Sequence, residues 1–522
     1  MSPQELGTAT LGSRARRGSA GWQLSWPLLA GLTAYLYALG VGQGMLIDGD
    51  TYWHVATGRW MFDHRVIPSV DPFSHSMAGA AWTAHEWLSE IILAGAHQLG
   101  GWTLVVGVTS AAFAVTHAIL MRALLRWLEP VYALLFTVLA VVMTVEHLLA
   151  RPHIIALPLL VVWTVELVRA SEERRTPAWW MWPLMTLWAN LHGGFTFGLV
   201  LVCVMALEAV VLSPPTQRAS TARAWAIWFA LALGASLVTP HGINGLLFTW
   251  HVLFNLGPVL ASIGEWRSPD FHTFNALELW LLAGLALVLH QGLRLPPLRL
   301  IVVLGLLHMA LKHARYIEMV GLLAPLFVAG PFAQQWHRAS EGRAQLERVD
   351  RFFDRLSVPA GASAILATLV LAIGATFWVN RSRPMEPPAS IPVQAVAEAL
   401  KAGVAGPVLN SYGLGGYLIY MGIPVYIDGR ADMYGARFAE EYIEAMSLQT
   451  AEAFDKLLEK YRIAWTLLMP HSPAAALLDR TPGWKRLYTD KAAVVHVRVD
   501  GAGGVRPAPQ STASADTAAR RP

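Results

Sequence analysis

Apolar runs close to the length a helix needs to cross a bilayer recur along about four-fifths of the chain. About eleven can be read, near 25–46, 101–123, 131–149, 153–169, 178–190, 195–212, 224–239, 275–290, 297–311, 315–333 and 360–379. Past 380 the pattern changes. Charge is denser, Pro387-Pro388 and Pro392 mark a linker, and helical stretches near 393–402, 436–447 and 451–461 alternate with strand-like runs. The expected strands are 408–410, 417–420, 425–427, 465–468 and 494–497. The fold this predicts is mainly α, a polytopic membrane helical bundle of about 11 spans followed by a small C-terminal α/β domain.

Composition agrees with that class. The 522-residue chain is 55% hydrophobic and 14% charged, too few charges to keep a soluble domain of this size dispersed. The first run is longer than a signal-peptide core and no Ala-x-Ala-like site follows it, so it is expected to be retained. Basic residues fall before it (Arg14, Arg16, Arg17) and then in alternate connections. These hold Arg122 with Arg126, Arg169 with Arg174 and Arg175, Arg218 with Arg223, Arg294 with Arg299, and the 338–355 segment. An excess of Lys and Arg marks the cytoplasmic side. The organisation expected is a cytoplasmic tail over 1–24 and a transmembrane domain over 25–379 with a long outer loop at 47–100. A soluble extracytoplasmic α/β domain over 380–500 and a disordered tail over 501–522 would follow. The net charge of +4 is then a matter of topology, since no basic stripe carries the interleaved aromatics of a nucleic-acid surface. The lone Cys203 rules out a disulfide framework and a thiolate metal cluster.

The same topology sorts the unusual residues. The outer ends hold Asp48 and Asp50, His85-Glu86-Trp87, Arg151-Pro152-His153, Asn190-Leu191-His192-Gly193-Gly194, Pro240-His241-Gly242, Glu265-Trp266 and Lys312-His313-Ala314-Arg315-Tyr316. Chance would scatter such clusters over both sides, and ionisable groups beside hydrocarbon are costly enough to be functional candidates. Within the outer loop, 51–62 reads as an amphipathic helix lying on the membrane, anchored by Tyr52, Trp53, Val55 and Trp60, with His54 one turn after Asp50. A second helix is expected from near Thr83 to about Leu99. Structural readings compete: Asp50 as a helix cap, Thr83 with Glu86 as a capping box, and Asp71 before Pro72 as a turn residue.

Asp48-Gly-Asp50-Thr-Tyr-Trp-His54, followed by Asp71-Pro-Phe-Ser and His85-Glu86-Trp87-Leu88, resembles the first outer loop of the GT-C superfamily of membrane glycosyltransferases. The pattern is more similar still to an uncharacterised bacterial membrane group allied to that superfamily, which the Asn190-Leu-His192-Gly-Gly and Glu265-Trp266 pieces match best. The resemblance covers roughly 25–333. It implies a GT-C-like bundle in the inner (plasma) membrane. It also implies a sugar donor carried on a polyprenyl phosphate, and transfer to an envelope or lipid acceptor at the outer face.

The residues suit that chemistry on their own terms. Transfer from a lipid phosphate needs a carboxylate to take or orient the acceptor proton, for which Asp48 and Asp50 are candidates. It needs cations for the leaving phosphate, which Arg151, Lys312 and Arg315 could supply. His54, His85, His153, His192, His241 and His313, with Glu86 and Glu265, could hydrogen-bond phosphate or sugar. No cofactor is demanded, but Asp48, Asp50, His54 and Glu86 could instead hold Mg or Mn bridging the phosphates. Arg430, in Ile427-Asp428-Gly429-Arg430-Ala431-Asp432, would either pin its own turn through an ion pair or reach the membrane site to hold acceptor or phosphate. Two other classes compete. One is a secondary transporter, although mid-span positions are apolar and no internal repeat is detectable. The other is a non-catalytic envelope-assembly protein.

Overall fold

The computed structural model describes residues 23–255, 264–340 and 353–499. The expected N-terminal and C-terminal tails and most of the 338–355 connection lie outside the described residues. The bundle comprises α1 (Trp26–Gly40), α2 (Gly49–His64), α3 (Trp87–Leu124), α4 (Pro130–Val145), α5 (Pro152–Glu172), α6 (Met181–Leu191) and α7 (Phe195–Leu212). It continues with α8 (Arg218–Ser236), α9 (Ile243–Asn255), α10 (Ala276–Gln291), α11 (Pro297–Lys312), α12 (Ile317–Ser340) and α13 (Ala362–Ser382). Every apolar run of the sequence is helical, as its composition and length require. Five helices among the described residues are long and apolar enough to cross a membrane by themselves: α3, α5, α7, α12 with the turn before it, and α13. The chain is therefore an integral membrane protein. The other runs form α1, α4, α6, α8, α10 and α11, which are shorter or more polar, so eleven spans are not established.

The sequence break before residue 101 is a kink inside α3: Gly100 leaves helical geometry and Gly101 takes a φ of 60°, open at no cost only to glycine. The helix expected from Thr83 begins instead at Trp87, and no Thr83–Glu86 capping box forms. The helix expected over 51–62 is α2, but it does not lie on the lipid surface. Tyr52, Trp53 and Val55 are buried, and Tyr52 packs its ring against Trp102 at 4.8 Å and Tyr417 at 5.4 Å. Three of its four supposed membrane anchors are covered by protein, while Trp60 is half-buried and stacks on His64.

That region holds α14 (Val393–Lys401), α15 (Gly415–Tyr420), α16 (Ala431–Met446), α17 (Ala451–Lys460) and α18 (Pro473–Leu478), around a four-stranded sheet. The strands β1 (Val408–Asn410), β2 (Trp465–Leu468), β3 (Trp484–Thr489) and β4 (Val494–Arg498) run in the order β1-β2-β4-β3, parallel only between β1 and β2. Three of the expected strands are present. The segment 417–420 is helical, with Gly416 letting α15 settle on the start of α2 and Gly415 letting it approach the backbone at Ile427. The segment 425–427 leaves the sheet: Val425 pairs with the outer loop, donating to Phe73 O at 3.1 Å and accepting from His75 N at 2.9 Å. β3 escaped notice because its half-exposed Trp-Lys-Arg-Leu-Tyr-Thr lacks a clean apolar alternation.

The two ends of the bundle differ in chemistry. At the end reached by the C-termini of α5 and α7, buried Arg299 binds Glu208 at 2.9 Å and Glu172 at 3.1 Å, while Arg126 binds Glu173 at 2.8 Å. The other end carries the candidate site.

Candidate functional site

The junction of α1 and α2 fixes the acidic pair. Asp48 caps α2, its Oδ1 accepting the Asp50 N–H at 3.0 Å, so the capping role falls to Asp48 rather than Asp50. Gly49 is demanded by the packing, since a Cβ there would overlap the carbonyl oxygen of Gly413. A Cβ at Gly429 would likewise overlap Asp50 Oδ1. The C-terminal region is thus seated directly on Asp48-Gly-Asp50.

Arg151, at the entry to α5, gathers three carboxylates. Its guanidinium lies 2.9 Å from Asp48 Oδ2, 2.8 Å from Asp50 Oδ2 and 3.1 Å from Glu265 Oε2. Trp53 Nε1 donates to the remaining oxygen of Asp50 at 3.0 Å. Glu265 Oε1 accepts from Arg315 Nη1 at 3.1 Å, and that guanidinium stacks on Trp266 at 4.5 Å. His147 Nε2 reaches Glu265 Oε2 at 2.9 Å. Burial raises Asp50, and the charges of Asp48 and Glu265 add to this against the pull of Arg151, leaving it near 7. Burial also raises Glu265, but Arg151, Arg315 and His147 outweigh it and hold that carboxyl well below its usual range. Burial lowers His147, yet its hydrogen bond to Glu265 and the nearby charges of Glu318 and Glu265 carry it to about 9.

A second cluster surrounds Glu86. His192 Nε2 is 3.4 Å away, His85 Nε2 and His54 Nε2 are each 3.7 Å away, and the other nitrogen of His54 meets Glu90 at 3.2 Å. Burial is the main cause of every shift here: it raises Glu86 to about 7, lowers His192 to about 3, and lowers His54 and His85. The imidazoles are therefore neutral near pH 7 and can either donate or accept.

Both clusters line one cavity of about 1780 Å³. Its polar lining includes Asp48, Asp50, His54, His85, Glu86, Arg151, His153, His192, Glu265, Lys312, His313 and Arg315. The lining also includes the apolar side chains of Leu157, Leu160, Leu199, Phe229, Leu233 and Leu246. Lys312 has no ion-pair partner among the described residues, whereas His313 Nδ1 bonds Trp266 O at 2.6 Å. His241 is not in the lining. Its Nε2 bonds Ala84 O at 3.1 Å, which braces the loop before α3. Arg430 borders the cavity, but its guanidinium pairs with Asp428 and Asp71, at 2.7 Å each, and stacks on Trp82 at 4.7 Å. Asp71 is the expected turn residue as well, accepting from Phe73 N at 2.9 Å.

Further ionisable residues line the cavity, among them Glu90, His147, His308, Glu318, Tyr412 and Asp432. His147 carried a signal, an ionisable group at the end of an apolar run. Tyr412 and Asp432 carried none, because only the long-range packing of 412–432 over α2 brings them here. Burial raises Asp432 to about 6.

The Mg or Mn expectation for Asp48, Asp50, His54 and Glu86 meets an obstacle. Their ligand atoms do not converge as a set, and the facing oxygens of Asp48 and Asp50 are already bound by Arg151.

No protein-family model matches the chain, and no curated protein matches it either. Among solved structures, the apo oligosaccharyltransferase of Archaeoglobus fulgidus superposes with a TM-score of 0.51 at 11% identity, over 85% of this chain and 69% of that one. ArnT from Cupriavidus metallidurans bound to undecaprenyl phosphate aligns at a TM-score of 0.46 and 13% identity, over 92% of this chain and 99% of that one. At such identities the first match is a likeness of fold, and the second adds no weight to it.

Proposed function

We propose that this chain, which has the GT-C fold, is an integral membrane glycosyltransferase. On this reading it moves a sugar from a polyprenyl-phosphate-type donor to an envelope or lipid acceptor. The site opens at the outer face of the inner membrane, with the N-terminus cytoplasmic and 380–500 extracytoplasmic. One observation carries the reading: a single cavity is lined both by paired carboxylates and guanidiniums and by many Leu and Phe side chains. That combination matches an amphiphile with an anionic head and a hydrocarbon tail.

Arg151, Arg315 and Lys312 are the cations available to the donor phosphate. A phosphate entering beside Arg151 competes with the carboxylates for its guanidinium. As it does so, Asp50 loses its strongest neutralising partner and becomes a better base. The acceptor hydroxyl oxygen then bonds to the anomeric carbon, the bond from that carbon to the phosphate oxygen breaks, and the hydroxyl proton passes to Asp50. The polyprenyl phosphate leaves with its charge held by the cations. Arg151 fills the bridging place expected for a hard cation.

The test uses the full chain in lipid nanodiscs with undecaprenyl-phosphate-linked sugars and an acceptor extract, following release of undecaprenyl phosphate by mass spectrometry. Wild type should release it, and Asp50→Asn should not. Folded wild type that neither binds nor turns over any such donor would overturn the reading. Full in vivo function of both Asp48→Asn and Asp50→Asn would favour the non-catalytic envelope role instead.

A further inference from the structure

We propose that His147, His153 and Glu318 form a site for one zinc-class divalent metal ion, beside the carboxylate–guanidinium cluster and distinct from it. His147 and His153 flank the α4–α5 turn, and Glu318 lies in the first turn of α12. One ligand atom from each lies within 4.8 Å of the others.

Two of these atoms have no hydrogen-bond partner. His147 Nδ1 and Glu318 Oε2 face each other at 3.8 Å, shut away from solvent, and neither makes a hydrogen bond. Glu318 as a whole is 6% exposed. The separation is too long for a hydrogen bond. It is close to what two donors show when each binds one ion at about 2.0–2.2 Å. A carboxylate oxygen and an imidazole nitrogen buried without hydrogen bonds are costly, so native structures rarely keep such pairs without an occupant.

The neighbouring contacts support the same occupant. His147 turns its other nitrogen to Glu265 Oε2 at 2.9 Å. A carboxylate that accepts from the far side of a metal-bound imidazole fixes the tautomer and strengthens the ligand. His153 stacks on His147 with ring centroids 4.6 Å apart and lines the open cavity. Two imidazoles and one carboxylate select zinc, cobalt or nickel over Mg, whose ligands are oxygens. Three protein ligands leave one position facing the cavity for water or a phosphate oxygen. The ion would tie the α4–α5 turn to α12 and, through Glu265, set the position of Arg151. The competing occupant is a proton, which would make His147 an imidazolium between Glu265 and Glu318.

The site is tested on the resting protein, whatever it transfers. The full chain in detergent is stripped with a chelator and titrated with Zn²⁺ and Co²⁺, following heat, proton release and the cobalt absorption spectrum. One ion per chain is expected, with nitrogen–oxygen ligand-field bands and net proton release on binding. His153→Ala and Glu318→Gln should weaken binding by more than about 100-fold, Glu265→Gln by about 10–100-fold, and His241→Ala not at all. Wild type that binds no stoichiometric ion would overturn the proposal, even if every variant failed to fold, and so would variants that bind as wild type does. Protein that binds no ion yet turns over donor refutes this site alone. A metal-loaded protein without turnover refutes only the transfer reaction.

Discussion

Asp50 spends one oxygen on Trp53 and the other on Arg151, and its carboxyl sits near 7, so it can change protonation where cells operate. Asp50→Asn keeps its shape and most of its bonding. The protein should accumulate normally and lose at least ~100-fold in transfer rate, the scale of acid–base catalysis. In wild type kcat/KM should rise as pH climbs through about 7, since the base must be ionised. Stability should move the other way. Asp50 and Glu86 are raised to about 7 in the folded chain, against about 4 when unfolded. Between those values the unfolded chain releases protons that the folded chain keeps, so stability falls as pH rises through the window and levels off above it. Thermal midpoints in detergent from pH 5 to pH 7.5 should decline, and Asp50→Asn combined with Glu86→Gln should flatten the slope.

Among the elements, the contact between α2 and the 412–432 segment matters most, because it makes both of them part of one cavity lining. Backbone approaches backbone at Gly49 and Gly413, which is why neither an alanine nor a lipid-facing helix fits there. Arg430, 1% exposed, locks the same contact by pairing Asp428 of its own turn with Asp71 of the outer loop, and Tyr434 donates to Asp428 at 2.6 Å. Arg430→Ala strands two buried carboxylates and should cost about 3–5 kcal/mol. It should appear as depleted protein in membranes and a lowered thermal midpoint. Gly429→Ala is expected to displace Asp50 and reduce turnover while leaving more folded protein than Arg430→Ala. Purified yield and transfer rate, measured on both variants, separate the two effects.

For the whole molecule, polar clusters distant in sequence meet at one end because successive helices run in alternate directions. Every second connection therefore returns to the same end. The opposite end pairs its basic residues with glutamates, Arg299 with Glu208 and Arg126 with Glu173. If basic connections face the cytoplasm, a phosphatase reporter fused after Pro388 should be active and one fused in the 213–217 connection silent. The reverse pattern would place the cavity on the inner side and remove an outward-facing lipid donor.

The sequence by itself determined the helical bundle, because bilayer-length apolar runs admit no other backbone in hydrocarbon. It also marked most of the ionisable residues of the cavity lining, because such groups at helix ends stand out against an apolar background. What the α2 aromatics would touch, and where Arg430 would spend its charge, it left open. Residues 412–432 reach Asp48-Gly-Asp50 across more than 360 positions, and no local periodicity encodes a contact of that range. The tertiary structure alone decided that α2 is roofed by protein, that 425–427 pairs with the outer loop rather than the sheet, and that Arg151 binds three carboxylates. Each depends on which surfaces remain to be covered once the helices have packed, a property of the assembled chain and of no single segment.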